Sequence, residues 1–167
     1  MREHVLVIIK PDALAKGIAG NVMDKFFQIK LELLAARVVK VTRQAAEMHY
    51  QHIKGTSFYQ GAIDLFMGKF HKQKRVLALI FSGENAISIC RKLAGATNPE
   101  EADPRSIRGA YGRVTTKRVF ENVIHVSSDR REAEREIKLW FSPCHLEETI
   151  FPVKEAVGNK RKIKVWA

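Results

Sequence analysis

An α+β domain built on a four-stranded antiparallel sheet is what this sequence predicts, and three observations carry the prediction. Four short aliphatic runs, at residues 5–9, 33–41, 76–81 and 123–125, are spread along the chain as candidate strands. Segments with apolar residues at helical spacing separate them. The 167 residues, 46% of them hydrophobic, fill one core well, whereas two domains would each be starved of buried surface.

The elements follow in order. The run "VLVII" at 5–9 ends at Lys10-Pro11-Asp12. Proline cannot donate to a ladder, so the strand stops there with Lys10 at its end. From about 19 to 30, Val22, Phe26 and Ile29 recur at helical spacing with Asp24, Lys25 and Gln28 between them. "LLAARVVKV" at 33–41 reads as a second buried strand. Thr42 suits the N-cap of the next helix, which carries Ala46 and Tyr50 on one face. A short helix around 60–67 leads to the basic loop "GKFHKQKR" at 68–75. The third strand, "VLALIF" at 76–81, is closed by Ser82-Gly83. A helix over 86–93 ends at Gly95, a good C′ residue. The segment "GATNPEEADPRSIRGAYG" then carries three glycines and two prolines, and reads as a long loop of the kind that serves function. Residues 123–125 belong to the fourth strand. Asp129 with Glu132 three residues on is a capping-box pattern, and Ala133, Ile137, Trp140 and Phe141 form the last helix's apolar stripe. The order β, α, β, α, α, β, α, β, α is a ferredoxin-like βαββαβ plan with additional helices. A single domain over residues 1–167 is expected, ending in a basic tail from about 150 to 167.

Composition narrows the partners. Twenty-nine Lys+Arg against 18 Asp+Glu give a formal net charge of +11, a field that favours polyanions such as nucleotides and nucleic acid. Much of the excess sits at 68–75 and in the tail "GNKRKIK" at 158–164. Two cysteines, Cys90 and Cys144, are too few for a disulfide framework. No stretch approaches the roughly 20 apolar residues of a membrane span. These features predict a soluble protein of a reducing compartment, the cytoplasm.

The chemistry-bearing candidate is His125, in "ENVIHVSSDRREAEREIKLWF". It stands where a strand ends and a helix begins, close to free backbone N–H groups and a positive helix end. Ser127 offers a hydroxyl in the same region. Glu136, two to three turns along the helix, can accept the proton of one ring nitrogen and leave the other as a free lone pair, which makes the imidazole a nucleophile. Arg91 and Thr97 flank the turn at Gly95, and Arg108 sits in "SIRGAYG". Arginine's planar fork suits phosphate oxygens, so such groups can hold a polyphosphate without a glycine-rich cradle. Neither G-x-x-x-x-G-K-[ST] nor G-x-G-x-x-G occurs.

"KPDA", "HY" at His49-Tyr50, "SFYQG", "RKLAGATNP", "IRGAYG" and "NVIHVS" appear in that order. Together they resemble the nucleoside diphosphate kinase family, over about residues 5–141. The resemblance implies a ping-pong phosphoryl transfer: His125 takes the γ-phosphate of a nucleoside triphosphate and passes it to a diphosphate. It also implies that Glu136 orients the imidazole and that Ser127 and Tyr50 neighbour the transferring group. Arg91, Thr97 and Arg108 match phosphate ligands, Lys10 and Asn122 match sugar contacts, and Phe58 the ring on which the base stacks. Mg²⁺ is expected to arrive with the nucleotide, with no protein ligands of its own. A homo-oligomer, hexamer or tetramer, is implied as well.

The sequence departs from the family pattern at Val126, where glycine is usual, at Ser128, where aspartate is usual, and at Ala13, where glycine is usual. The loops at 68–75 and 112–121 are longer than typical, and the tail does not match the family's ending. Two other readings follow from the residues. A basic sheet protein can be a nucleic-acid-binding module, but these strands are aliphatic and lack the aromatic RNA-binding motif, which leaves nucleic acid as a weak side activity of the tail. An inactive kinase homologue kept for its interactions is the other; the joint presence of His125, Asn122, Arg91, Arg108 and Lys10 argues against it.

Overall fold

The computed structural model describes residues 2–158 and 161–167; Asn159 and Lys160 of the basic tail lie outside the described residues. The chain runs β1 (Arg2–Ile9), α1 (Pro11–Ala15), α2 (Ala19–Phe27), β2 (Glu32–Lys40), α3 (Arg43–His49), α4 (Tyr59–Phe66), β3 (Arg75–Glu84) and α5 (Ala86–Ala94). It continues through α6 (Ile107–Tyr111), β4 (Arg113–Val114), β5 (Phe120–Glu121), β6 (Ile124–Val126) and α7 (Arg130–Trp140) to β7 (Val153–Gly158) and β8 (Arg161–Trp166). The central sheet has the order β2-β3-β1-β6 with every neighbouring pair antiparallel, the ferredoxin-like plan.

Why β1 is continuously apolar now has a structural reason. Val5, Val7 and Ile9 face one core, with Val22 and Phe26 of α2 and Ile87 and Cys90 of α5. Leu6 and Ile8 face another, with Ala46 of α3, Ile63 and Phe66 of α4, and Ile137 and Trp140 of α7. The additional helices cover the second face of the sheet, so β1 needs no polar side and alternation disappears.

Local signals behave as their chemistry requires. Thr42 accepts from the N–H of Ala45, and Asp129 from that of Glu132, each capping its helix. The helix expected over 19–30 ends at Phe27, because Ile29 N–H turns back to the carbonyl of Phe26. The segment after Gly95 is ordered: Asn98 caps a 3₁₀ turn at Pro99–Glu101, and Ser106 caps α6 through the N–H of Gly109. The long 112–121 segment is a β4–β5 hairpin. The tail is a second hairpin, β7–β8, tethered where the Trp166 indole N–H meets Phe141 O at 2.6 Å.

Candidate active site

Register fixes where His125 points. In the β1–β6 ladder His125 lies opposite Ile8, so its ring projects on the sheet face covered by α3, α4 and α7. On α7, Ala133, Glu136, Ile137 and Trp140 are buried, at i, i+3, i+4 and i+7. Glu136 therefore occupies a core position, a carboxylate only 1% exposed, and meets the imidazole from above. His125 Nε2 lies 2.9 Å from Glu136 Oε2. A carboxylate only accepts, so Nε2 carries the ring proton and Nδ1 keeps its lone pair. Nδ1 has no hydrogen-bond partner among the described residues, and the ring lines the cleft. Ser127 donates to the same carboxylate oxygen at 2.6 Å. Burial opposes ionisation of Glu136, yet His125, Ser127 and Arg135 outweigh it and hold its carboxyl below the usual range.

The cleft has a volume of about 710 Å³ and is lined by Lys10, Arg91, Arg108, Lys117 and Arg118. Among the described residues none of these five forms an ion pair with a carboxylate. Two of them are deeply buried, which is costly for a cation without a partner. Arg108 donates to the carbonyls of Gly95 at 2.9 Å and Ile124 at 3.1 Å, leaving its Nε without a partner. Burial draws it down to about 10, still protonated at neutral pH. Lys10, 5% exposed, donates to Asn122 Oδ1 at 2.7 Å, and burial lowers it to about 8. Asn122 in turn donates to the carbonyl of Thr97 at 2.8 Å, tying the Gly95 loop to the floor. Buried cations that meet only neutral oxygens are built to receive an anion.

Most of the residues expected from sequence converge here. Lys10, Tyr50, Phe58, Arg91, Thr97, Arg108, Asn122, His125 and Glu136 all line the cleft. Tyr50 is 9% exposed and burial pushes its phenol up, so it stays a neutral hydrogen-bonding group. Phe58 stands at the rim, 60% exposed. Ser127 differs: it is fully buried and its hydroxyl is spent on Glu136 and the β1 backbone, so it positions the carboxylate and does not face the cleft. Val126 lines the cleft but is 4% exposed and pairs with Val7, and Ser128 bonds to Asp129 at 2.8 Å.

Three supporting residues escaped the sequence reading. Val123 adopts φ 59°, a left-handed conformation that is strained for a β-branched residue. Its N–H is held by Asp12 Oδ2 at 2.9 Å and its carbonyl by the N–H of Lys10 at 2.8 Å, while Ile124 N–H bends back to Asn122 O at 2.6 Å. Asp12 thus stabilises the turn between Asn122 and the β6 strand. His49, fully buried, accepts the Trp140 indole N–H at 3.2 Å and sets its ring edge against His125 at a centroid distance of 4.3 Å. Burial first, and then the nearby His125, lower it far enough to stay neutral. A valine with positive φ leaves no mark in a sequence. A histidine before Tyr50 does, but only its tertiary neighbours reveal the use.

His49, His125 and Glu136 also bring three potential metal ligands together. Their contacts are already those of a hydrogen-bonded relay, since Nε2 and Ser127 share one carboxylate oxygen.

Comparison with known proteins agrees. The sequence profile of the "Nucleoside diphosphate kinase" family matches residues 3–146. The nucleoside diphosphate kinase of Methanocaldococcus jannaschii is 38% identical over 141 residues, covering 84% of this chain and 94% of that one. That of Symbiobacterium thermophilum is 39% identical over 139 residues, covering 83% and 87%. A solved nucleoside-diphosphate kinase from Borrelia burgdorferi superimposes with a TM-score of 0.78 at 30% identity, over 89% of this chain and 92% of that one. The matched span holds the whole cleft and stops before the β7–β8 hairpin. By sequence and by fold, this chain belongs to the nucleoside diphosphate kinase family.

Proposed function

We propose that this protein acts in the cytoplasm, transferring the γ-phosphate of a nucleoside triphosphate to a nucleoside diphosphate through a phosphohistidine on Nδ1 of His125. The observation that carries the reading is an imidazole pinned at Nε2, with an Nδ1 that, like the cleft's five cations, meets no carboxylate among the described residues. The related Borrelia burgdorferi enzyme was solved with vanadate and ADP as a transition-state mimic, which supports placing a nucleotide here.

In the first half-reaction the Nδ1 lone pair attacks the γ-phosphorus. The bond to the β–γ bridging oxygen breaks, its electron pair leaves with the diphosphate, and the phosphoryl group stays on Nδ1. Nε2 keeps its proton throughout, and Glu136 balances the positive charge that the ring acquires. The second half-reaction runs this sequence in reverse toward the acceptor. Arg91, Thr97 and Arg108 hold phosphate oxygens, Lys10 and Asn122 meet the sugar hydroxyls, Phe58 stacks on the base, and Tyr50 borders the transferring group. Since such transfers leave little covalent work to the protein, positioning and neutralisation dominate. Among the described residues the carboxylates lining the cleft are Glu132, paired with Arg135, and Glu136, committed to His125, so nucleotide oxygens and not a protein cage would hold Mg²⁺. When bound, that ion neutralises phosphate charge.

Two features of the partners go with this reading. Among the described residues the outer edge of β2 has no strand partner, and Val38 there is 62% exposed, which suits a homo-oligomer, hexamer or tetramer, measurable by light scattering. The exposed lysines and arginine of β8 support weak, salt-sensitive association with nucleic acid. The kinase reading is tested with γ-labelled ATP: the label should attach to the protein and be acid-labile and base-stable. Failure to label, or an acid-stable bond, overturns it.

A further inference from the structure

The wall of the cleft beyond Asn122 is the β4–β5 hairpin, and its tip is held firmly. Thr115 N–H meets Val119 O at 3.0 Å, Arg118 N–H meets Thr115 O at 2.8 Å, and Val119 N–H meets Thr115 Oγ1 at 3.0 Å. The base of the hairpin is riveted by Glu121, only 2% exposed, which pairs with Arg113 at 2.7 Å and Lys16 at 2.9 Å, with His71 Nε2 lying 3.0 Å away. At the tip, Arg118 takes a left-handed turn with φ 56°. Its side chain and that of Lys117 line the cleft and have no hydrogen-bond or ion-pair partner among the described residues.

Chain order along this wall mirrors the order of parts in a nucleotide. Residue 125 receives the phosphoryl group and residue 122 meets the sugar. Four residues further back, across β5, stands Arg118. In chain order it lies beyond the sugar contact, and it lines the same cleft as Phe58, the base-stacking ring. Stacking on Phe58 reads only the face of a base; what faces its edge decides whether bases are told apart.

We propose that Arg118, with Lys117 beside it, reads the edge of the base and makes this protein prefer 6-oxopurine nucleotides over adenine nucleotides. This rests on the nucleotide-site reading above. Guanine and hypoxanthine present two adjacent acceptors, O6 and N7, to a guanidinium fork, whereas adenine presents a donor, N6–H₂, in place of one of them. An Arg fork on that edge is a strong discriminator in dry sites, and on an exposed tip the lower end applies, about five- to tenfold.

The test is calorimetric titration of GDP, IDP and ADP, with Mg²⁺, into the protein and into Arg118→Ala, with Lys117→Ala alongside. Transfer is followed separately by label exchange. GDP and IDP should each bind about five- to tenfold more tightly than ADP. Arg118→Ala should bring that ratio to near one, and Lys117→Ala should lower it part way. A flat ratio in the unaltered protein, or a loss in Arg118→Ala equal for all three ligands, overturns the inference, because a phosphate contact or a folding defect would spare no base. Base-dependent binding without any label transfer would instead sink the kinase reading and leave the edge-reading intact.

Discussion

The floor of the cleft and the C-terminal hairpin are both rich in charge, and they use it in opposite ways. On the floor, Lys10 and Arg108 are buried with only neutral oxygens as partners, and Glu136 is buried against an imidazole. On the hairpin, Lys154, Glu155, Lys162 and Lys164 are exposed, and Lys162 pairs with Glu155 at 3.1 Å with both side chains more than half in water. A charge taken out of water without a counter-charge carries an energetic cost that only a ligand returns, whereas an exposed pair is worth little in either direction. Burial and missing partners mark function here. Charge count does not, although the count is what the sequence displays first.

The contrast can be broken at its strongest point. His125→Ala should abolish label uptake while thermal unfolding stays close to that of the unaltered protein; transfer persisting in that variant would remove the imidazole from the mechanism. Next in size, Arg108→Ala should raise the nucleotide KM by roughly 10- to 100-fold, given about 1.5–3 kcal/mol for each hydrogen bond to a charged group. A KM within twofold would mean that the buried guanidinium serves packing alone. Glu136→Gln keeps the shape but loses the charge that balances the phosphorylated ring, and should lower kcat by at least roughly 10- to 100-fold, the loss seen when a carboxylate behind a metal-bound imidazole is changed. An unchanged kcat would assign that carboxylate to folding only.

Lys10 sharpens the comparison through pH. Its ammonium, lowered by burial to about 8, becomes neutral as pH rises through that value, whereas an unfolded lysine titrates near 10.4. Between these values the unfolded chain binds more protons, so stability should rise with pH while nucleotide affinity falls. The KM should climb above about pH 8, and Lys10→Arg should flatten that limb. A pH-independent KM in the unaltered protein would show that Lys10 does not meet the nucleotide as a cation.

The smallest effects are expected at the hairpin. Lys162→Ala should change stability by less than about 0.5 kcal/mol. Trp166→Ala loses the bond to Phe141 O and the edge contact with Phe151, and should cost about 1–2 kcal/mol by thermal melt without slowing transfer. Transfer that collapsed in a still-folded Trp166→Ala protein would couple the two regions and erase the contrast.

Much of the fold was legible because its signals are local. Proline after Lys10 had to stop a strand, Thr42 and Asp129 had to cap helices, and the runs of β1 and β3 had to be strands buried on both faces, whereas the run at 33–41, read as a buried strand, forms the half-exposed edge strand β2. The candidate site was legible for a different reason: a histidine at a strand end, a carboxylate at helical spacing from core residues and arginines beside a glycine turn are residue types with few other uses together. The two hairpins were not. The base of the β4–β5 hairpin depends on Glu121 finding Lys16, and the tail hairpin on Trp166 finding Phe141, partners distant in sequence.

The amino-acid order by itself settled the elements of the central sheet and its helices, the βαββαβ plan and the list of groups able to handle phosphate, since periodicity, capping and titratable chemistry belong to single segments. Tertiary structure decided which ring nitrogen is free, that Ser127 serves the carboxylate and not the cleft, that Val123 is held in strain by Asp12, and that Arg118 lines the same cleft as Phe58. Those outcomes hang on distances between segments up to more than a hundred residues apart, and only the packed sheet brings them within hydrogen-bonding range.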